Sequence, residues 1–266
     1  MTLKKISIVL LIVVLSCTLL LVAAACNKDT GDSLERVMKA GKLTVVGSGG
    51  YLPFNYIDQD GKVVGFDVDV GKEIAERLGV ELDYVTSDWD GLVEGLRSQR
   101  YDAILGSMAI TPERLAVVSF TNPYYYSGAQ LVVRKDSSIN TPADMENKEI
   151  AVVTGTNFVG DAEALGATAS LYQDDFATLN ELINGRVDGV ITDRLVALGA
   201  MEKITGGEEL ELCGEILRLE VMGIAINRAD TTLLAKINEI LEDMREDGSL
   251  KEISEKWHNG ADITVK

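Results

Sequence analysis

Short apolar runs alternate with amphipathic helical patterns in two successive series along this chain, and that alternation restricts the fold more than any other feature. In the first series strands are expected over 43–46, 82–85 and 103–105, with helices over 68–78, 91–97 and 112–117. The second series places strands over 129–134, 149–153, 170–172 and 189–192, with helices over 158–165, 176–184 and 194–201. A strand over 222–226 and two helices over 231–246 and 250–257 finish the chain. Strands joined through helices are crossover units, so the fold class is α/β with mainly parallel sheets. Two such series imply two lobes, with breaks at Pro123 and in a polar stretch near Arg218.

The amino end carries its own signal. Lys4 and Lys5 precede an uncharged run over 6–25, long enough at roughly 20 residues to cross a bilayer and so open to reading as signal peptide or membrane anchor. Ala23, Ala24 and Ala25 before Cys26 resemble a bacterial lipobox, with Ala23 where Leu is usual. Cys17 is the poorer acceptor, because the apolar run continues past it. The expectation is a signal peptide over 1–25 and a lipidated Cys26 opening a polar tether over 26–36; an uncleaved anchor is the alternative. Either places the globular part outside the cytoplasm and on a membrane.

Composition removes several functions. The chain has 42 acidic against 25 basic residues and a formal net charge of −17, which repels phosphate backbones and argues against nucleic-acid binding. Beyond Cys17 and Cys26 only Cys213 remains, a buried thiol by expectation, so the mature chain forms no internal disulfide unless Cys26 stays unlipidated. With His258 as the single histidine and no Cys or His cluster, the usual transition-metal ligands are missing, and neither metal nor cofactor is expected.

Two motifs carry the ligand chemistry. Residues 65–78, G-F-D-V-D-V-G-K-E-I-A-E-R-L, open a helix with carboxylates in its first turn, where the helix dipole favours them, and Gly79 closes it. In residues 108–114, M-A-I-T-P-E-R, Thr111 suits the N-cap, Pro112 suits N1 and Arg114 falls in the first turn, so backbone N–H groups and a guanidinium address one volume. A guanidinium fork binds a carboxylate through two charge-assisted hydrogen bonds of about 1.5–3 kcal/mol each. The turn Thr154-Gly155-Thr156-Asn157 offers further N–H donors, and Asp193 stands at the C-terminal strand edge where open α/β sheets place ligands. On residues alone, Arg114 also reads as a surface residue paired with Glu113, Asp193 as the cap of the helix from Arg194, and the Thr-Gly-Thr turn as an ordinary loop.

These motifs in this order resemble the bacterial extracellular amino-acid-binding proteins of solute-binding protein family 3, which serve ABC importers. The resemblance runs from about Lys42 to the C-terminus. It implies a two-lobed periplasmic-binding-protein-like fold of type 2, one lobe formed by 37–125 plus 223–266 and the other by 126–222, with the ligand cleft between them. It also implies that Arg114 holds an α-carboxylate and Asp193 an α-ammonium, while Ser107, Ala109 and Asn157 contribute backbone atoms beside Thr156. Relatives often have a hydroxyl residue at the place of Ala109. Ser48, Tyr51, Trp89, Val153 and Thr192 would surround the ligand side chain; Tyr51 also reads as core, and Phe54 is assigned to core. Ser48 and Val153 stand where glutamine and histidine binders tend to have charged or ring-donor groups. Trp89-Asp90 with G-S-G-G-Y-L-P-F resembles the cystine-type and general polar branches.

The implied function is capture of a free, polar amino acid, cystine among the candidates, by a monomer that delivers it to a permease in the membrane. A cyclohexadienyl or arogenate dehydratase on the same fold is the rival, and it needs a pocket general acid with a perturbed pKa; a ligand-sensing module is the third reading. Two other motifs are set aside. Gly47-Ser48-Gly49-Gly50 lacks the third glycine spacing of a dinucleotide loop, and Pro53 stands where its helix would start. Asp58-Gln59-Asp60-Gly61 lacks the closing Glu of a calcium loop and reads as a hairpin turn.

Overall fold

Strand β1 (Lys42–Gly47) lies between β5 (Glu81–Thr86) and β6 (Ala103–Ile104), parallel to both. In this computed structural model, which describes residues 32–266, these strands form the centre of a five-stranded sheet of order β5-β1-β6-β13-β7. Strand β13 (Ala225–Ile226) comes from the end of the chain and runs antiparallel to β6 and to β7 (Ser119–Phe120). The second sheet has order β10-β9-β11-β8-β12. Its strands β9 (Glu149–Val153), β10 (Thr168–Tyr172) and β11 (Gly189–Asp193) are parallel, and β8 (Tyr125–Arg134) and β12 (Leu210–Met222) are added antiparallel. The expected signal peptide over 1–25 and the expected lipidation of Cys26 fall outside the described residues. Among the described residues no helix is long and apolar enough to cross a membrane.

Local chemistry explains the helices that frame the cleft. Helix α2 (Phe66–Leu78) starts at Gly65, whose φ of 135° admits only glycine, since an added Cβ would meet the Phe54 carbonyl oxygen. It ends at Gly79 in the left-handed conformation, as its sequence predicts. Helix α4 (Pro112–Leu115) has Thr111 as N-cap, its hydroxyl accepting from Arg114 N at 3.3 Å, with Pro112 in the first turn. Between β3 (Asn55–Ile57) and β4 (Val63–Val64), Asp58 N donates to Lys62 O at 2.8 Å, so residues 58–61 form the expected hairpin turn.

Three features depart from the sequence reading. Residues 33–36, assigned to the tether, begin helix α1 (Ser33–Ala40), which inserts Val37 into the first core. Leu34 packs partly buried beside Val37, so the helix has an apolar stripe, but at 8 residues it is too short to stand out after the polar stretch before it. The polar stretch near Arg218 belongs to β12, the edge of the second sheet, where outward side chains face water and the apolar run is lost. The strand expected over 222–226 is two pieces: Met222 ends β12, Gly223 turns, and β13 joins the other sheet.

The first core holds Phe54, Phe66, Tyr124 and Tyr125, with Phe54 stacked on Tyr125 at 4.8 Å between ring centroids. Phe54 is thus core, as expected. Cys213 is a buried free thiol in the second sheet's core, also as expected.

Candidate functional site

The loops at the strand ends of the two sheets enclose a cavity of about 220 Å³. From the side of the first sheet come Ser48 and Gly49 after β1, Tyr51 of β2 (Gly50–Tyr51), which with β3 and β4 forms a small sheet of its own, Trp89, and the segment from Ser107 to Arg114 after β6. The second contributes Val153, Thr156, Asn157 and Phe158 after β9, Gln173 to Asp175 after β10, and Glu220 of β12. The lobes touch at the rim. Trp89 Nε1 donates to Gly155 O at 3.2 Å, a Cβ on Gly50 would lie 3.9 Å from Asp174 Cβ, and one on Gly199 would lie 3.3 Å from Pro53 Cδ.

Arg114 is partly buried in this wall. Its Nη1 donates to Ala109 O at 2.9 Å, and its guanidinium carbon lies 5.4 Å from the Trp89 ring centroid. It makes no ion pair with Glu113. Burial lowers its pKa, while Glu220 and Tyr51 act in the opposite direction. A cation held by a carbonyl and a ring face retains donors for an anionic guest.

Beneath the first-sheet wall lies a buried network centred on Asp67 of α2. Asp67 accepts from Asn55 Nδ2 at 2.7 Å, Ser107 Oγ at 2.9 Å and Tyr124 OH at 2.7 Å. Asn55 Oδ1 in turn accepts from Gly49 N at 3.0 Å and Ser48 Oγ at 3.3 Å, and Ser107, in a left-handed conformation, donates its N–H to Tyr124 OH at 3.1 Å. The first acid of the 65–78 motif therefore acts behind the wall and fixes Ser48, Gly49 and Ser107. Desolvation raises its pKa to about 6 against the pull of these three hydrogen bonds.

Of the residues singled out from sequence, Ser48, Tyr51, Trp89, Ser107, Ala109, Arg114, Thr156 and Asn157 converge on the cavity, and Val153 with them. Thr192 and Asp193 are not in its wall. Asp193 is fully buried and caps helix α7 (Arg194–Lys203): Oδ1 accepts from Leu195 N at 2.8 Å, Val196 N at 3.3 Å and Ser127 Oγ at 2.9 Å. Its Oδ2 is buried with no hydrogen-bond partner, and desolvation raises its pKa to about 7. It lies close enough to Tyr51 to push the phenol pKa up together with Asp175 and Glu220, burial being the larger cause.

Sequence reasoning missed the carboxylates of the wall, Asp88, Asp174, Asp175 and Glu220, of which the last two are buried. Glu220 is 2% exposed, pairs with Arg218 and accepts from Asn157 Nδ2 at 2.9 Å, while desolvation raises its pKa. Asp175, 5% exposed, opens helix α6 (Asp175–Ile183) and accepts from the Thr192 hydroxyl; desolvation raises its pKa to about 6. The doublet Asp174-Asp175 before an apolar run was the available signal for Asp175; Glu220 has none, since β12 itself was not visible.

The family model for bacterial extracellular solute-binding proteins, family 3, matches residues 43–260. The chain belongs to this family. Among family 3 relatives, L-cystine-binding protein TcyJ of Escherichia coli (strain K12) is 34% identical over 250 residues, covering 92% of this chain and 93% of TcyJ. A crystal structure of the P235GK mutant of ArgBP from T. maritima superposes with a TM-score of 0.80 at 36% identity, over 85% of this chain and 99% of ArgBP. The ancestral amino acid-binding protein AncCDT-1, a precursor of cyclohexadienyl dehydratase, superposes at 0.79 with 31% identity, over 85% of this chain and 99% of its own. The fold is the two-lobed one implied by the sequence, with the cavity between the lobes.

Proposed function

We propose that this protein binds a free α-amino acid outside the cytoplasm and delivers it to the permease of an ABC transporter. The observation that carries the reading is Arg114, a guanidinium in the cavity wall that Ala109 O and the Trp89 face hold in place without neutralising it. An α-carboxylate is the ligand group that its fork fits. Asn157 at the start of helix α5 (Phe158–Ala164) offers its N–H to the same volume, whereas Thr156 lines it with its N–H and hydroxyl both donating to Val153 O, at 3.2 and 2.7 Å. For the α-ammonium the reading assigns Asp193, whose spare buried Oδ2 lies within electrostatic reach of Tyr51 in the wall, and Glu220 as the carboxylate already in the wall. TcyJ is named for cystine and ArgBP for arginine, and the shared part of such ligands is the zwitterionic head. Relatives named as binding proteins support a binder rather than an enzyme.

Arg114→Ala removes the anion-binding fork without emptying a core position. It is expected to abolish amino-acid binding in calorimetry while circular dichroism stays that of the wild type. Binding within about tenfold of wild type, or about 1.4 kcal/mol, counts against the assignment.

A further inference from the structure

The cavity is not electrically symmetrical. At the Trp89 and Gly155 edge stands Arg114; at the edge where Gly50 approaches Asp174 stands Asp175, and Tyr51 lies within electrostatic reach of both. Zwitterionic amino acids with neutral side chains bring one anion and one cation, and the head group alone uses both. The wall holds more acid than that requires: Asp88, Asp174, Asp175 and Glu220 against Arg114.

The two buried acids of the wall differ in how they are neutralised. Glu220 has Arg218 beside it and Arg114 within reach. Asp175 is held by neutral donors, the Thr192 hydroxyl and its own backbone N–H, and the one charge that acts on it is another carboxylate, Asp174. A carboxylate buried in a cavity wall with no cation is costly unless something that binds there supplies one. With a pKa of about 6 it is mostly ionised at neutral pH despite that burial.

We infer that the ligand carries a second cationic group, a basic side chain or a distal ammonium, and that Asp175 receives it while Arg114 holds the α-carboxylate. This rests on the amino-acid reading above and narrows it. Asp175 then determines specificity: a guanidinium or ammonium donates to the carboxylate, and a neutral isostere leaves that buried charge uncompensated.

Calorimetric titration of the full-length protein in detergent with matched pairs tests this. Arginine against citrulline probes a side-chain guanidinium, and cystine against its mono-desamino derivative probes a distal ammonium. In at least one pair the doubly cationic member is expected to bind tenfold tighter or more, and Asp175→Asn, or Asp175→Ser if the amide variant does not fold, brings that ratio to about one. Equal affinities within both pairs, with binding intact, overturn the inference and leave the amino-acid reading standing. A preference that survives in a folded Asp175 variant also overturns it. Failure of every amino acid to bind overturns the amino-acid reading, and this inference with it.

Discussion

Asp193 is a carboxylate that the fold surrounds with one hydroxyl and two backbone N–H groups and with no cation. Unfolded, an Asp ionises near ~3.9, whereas burial raises Asp193 to about 7. Between those values the folded chain retains a proton that the unfolded chain has lost, so this residue's contribution to stability falls as pH rises through the window and levels off above it. Each pKa unit corresponds to ~1.4 kcal/mol, which makes the drop a few kcal/mol. Asn carries no such proton. The difference in melting temperature, Asp193→Asn minus wild type without ligand, is therefore expected to become more favourable to the variant between about pH 4 and about pH 7. A flat or opposite trend would show that the native carboxylate does not hold its proton. Ligand binding should reverse the preference, because an ammonium at Oδ2 favours the ionised form.

At the scale of elements, helix α2 has a second task besides packing. Its first turn carries Asp67, which reaches through Asn55 to the Ser48–Gly49 loop and directly to Ser107. An amide cannot accept from all three donors as a carboxylate does, and a charge-assisted hydrogen bond is worth about 1.5–3 kcal/mol. Asp67→Asn is thus expected to weaken ligand binding about tenfold and to lower the melting temperature, although the residue lies outside the cavity wall; unchanged affinity would show that the wall holds its shape unaided. The motif that contains Asp67 was plain in the sequence because glycine, acid and apolar spacing are local. Strands buried on both faces, such as Glu149–Val153, read as apolar runs and were located closely. Edge strand β12 was not, because its outward face is polar and a bulge between Cys213 and Arg218 interrupts its period. Glu220 was hidden for the same reason. Helix α1 escaped because its stripe of Leu34 and Val37 spans barely two turns and follows a polar run. Arg114 and Trp89 could be placed from short motifs, whereas the partners of Asp193 and Asp175 come from distant parts of the chain, and only folding shows which acid faces the guest.

Leu195 and Val196 of α7 pack against the first core, and polar and close contacts at the rim add to that apolar seam. The Trp89 to Gly155 hydrogen bond crosses between lobes on one side, and the Gly50 to Asp174 and Gly199 to Pro53 approaches lie elsewhere on the rim. A neutral hydrogen bond contributes about 0.5–1.5 kcal/mol, and apparent affinity scales with the population of the closed state. Trp89→Phe keeps a ring near Arg114 and removes the cross-lobe donor. It is expected to weaken binding by about twofold to tenfold and to raise the radius of gyration of the ligand-free protein in X-ray scattering; no change in either would place the closure energy elsewhere.

The two chain crossings between the lobes are not independent tethers. At the second-sheet side Ser127, Tyr126 and Tyr125 pair with Glu220, Val221 and Met222, and Tyr124 N still donates to Met222 O at 2.9 Å. Both passages thus form one two-stranded ribbon, continued into the first lobe by the Ala109–Met222 bridge. Such a ribbon flexes across its width, but sliding or swivelling would shear its ladder of hydrogen bonds, so the lobes are left with essentially one angular coordinate. Glu220 sits on that axle while facing the cavity, and a guest that pulls on its carboxylate applies torque at the pivot itself.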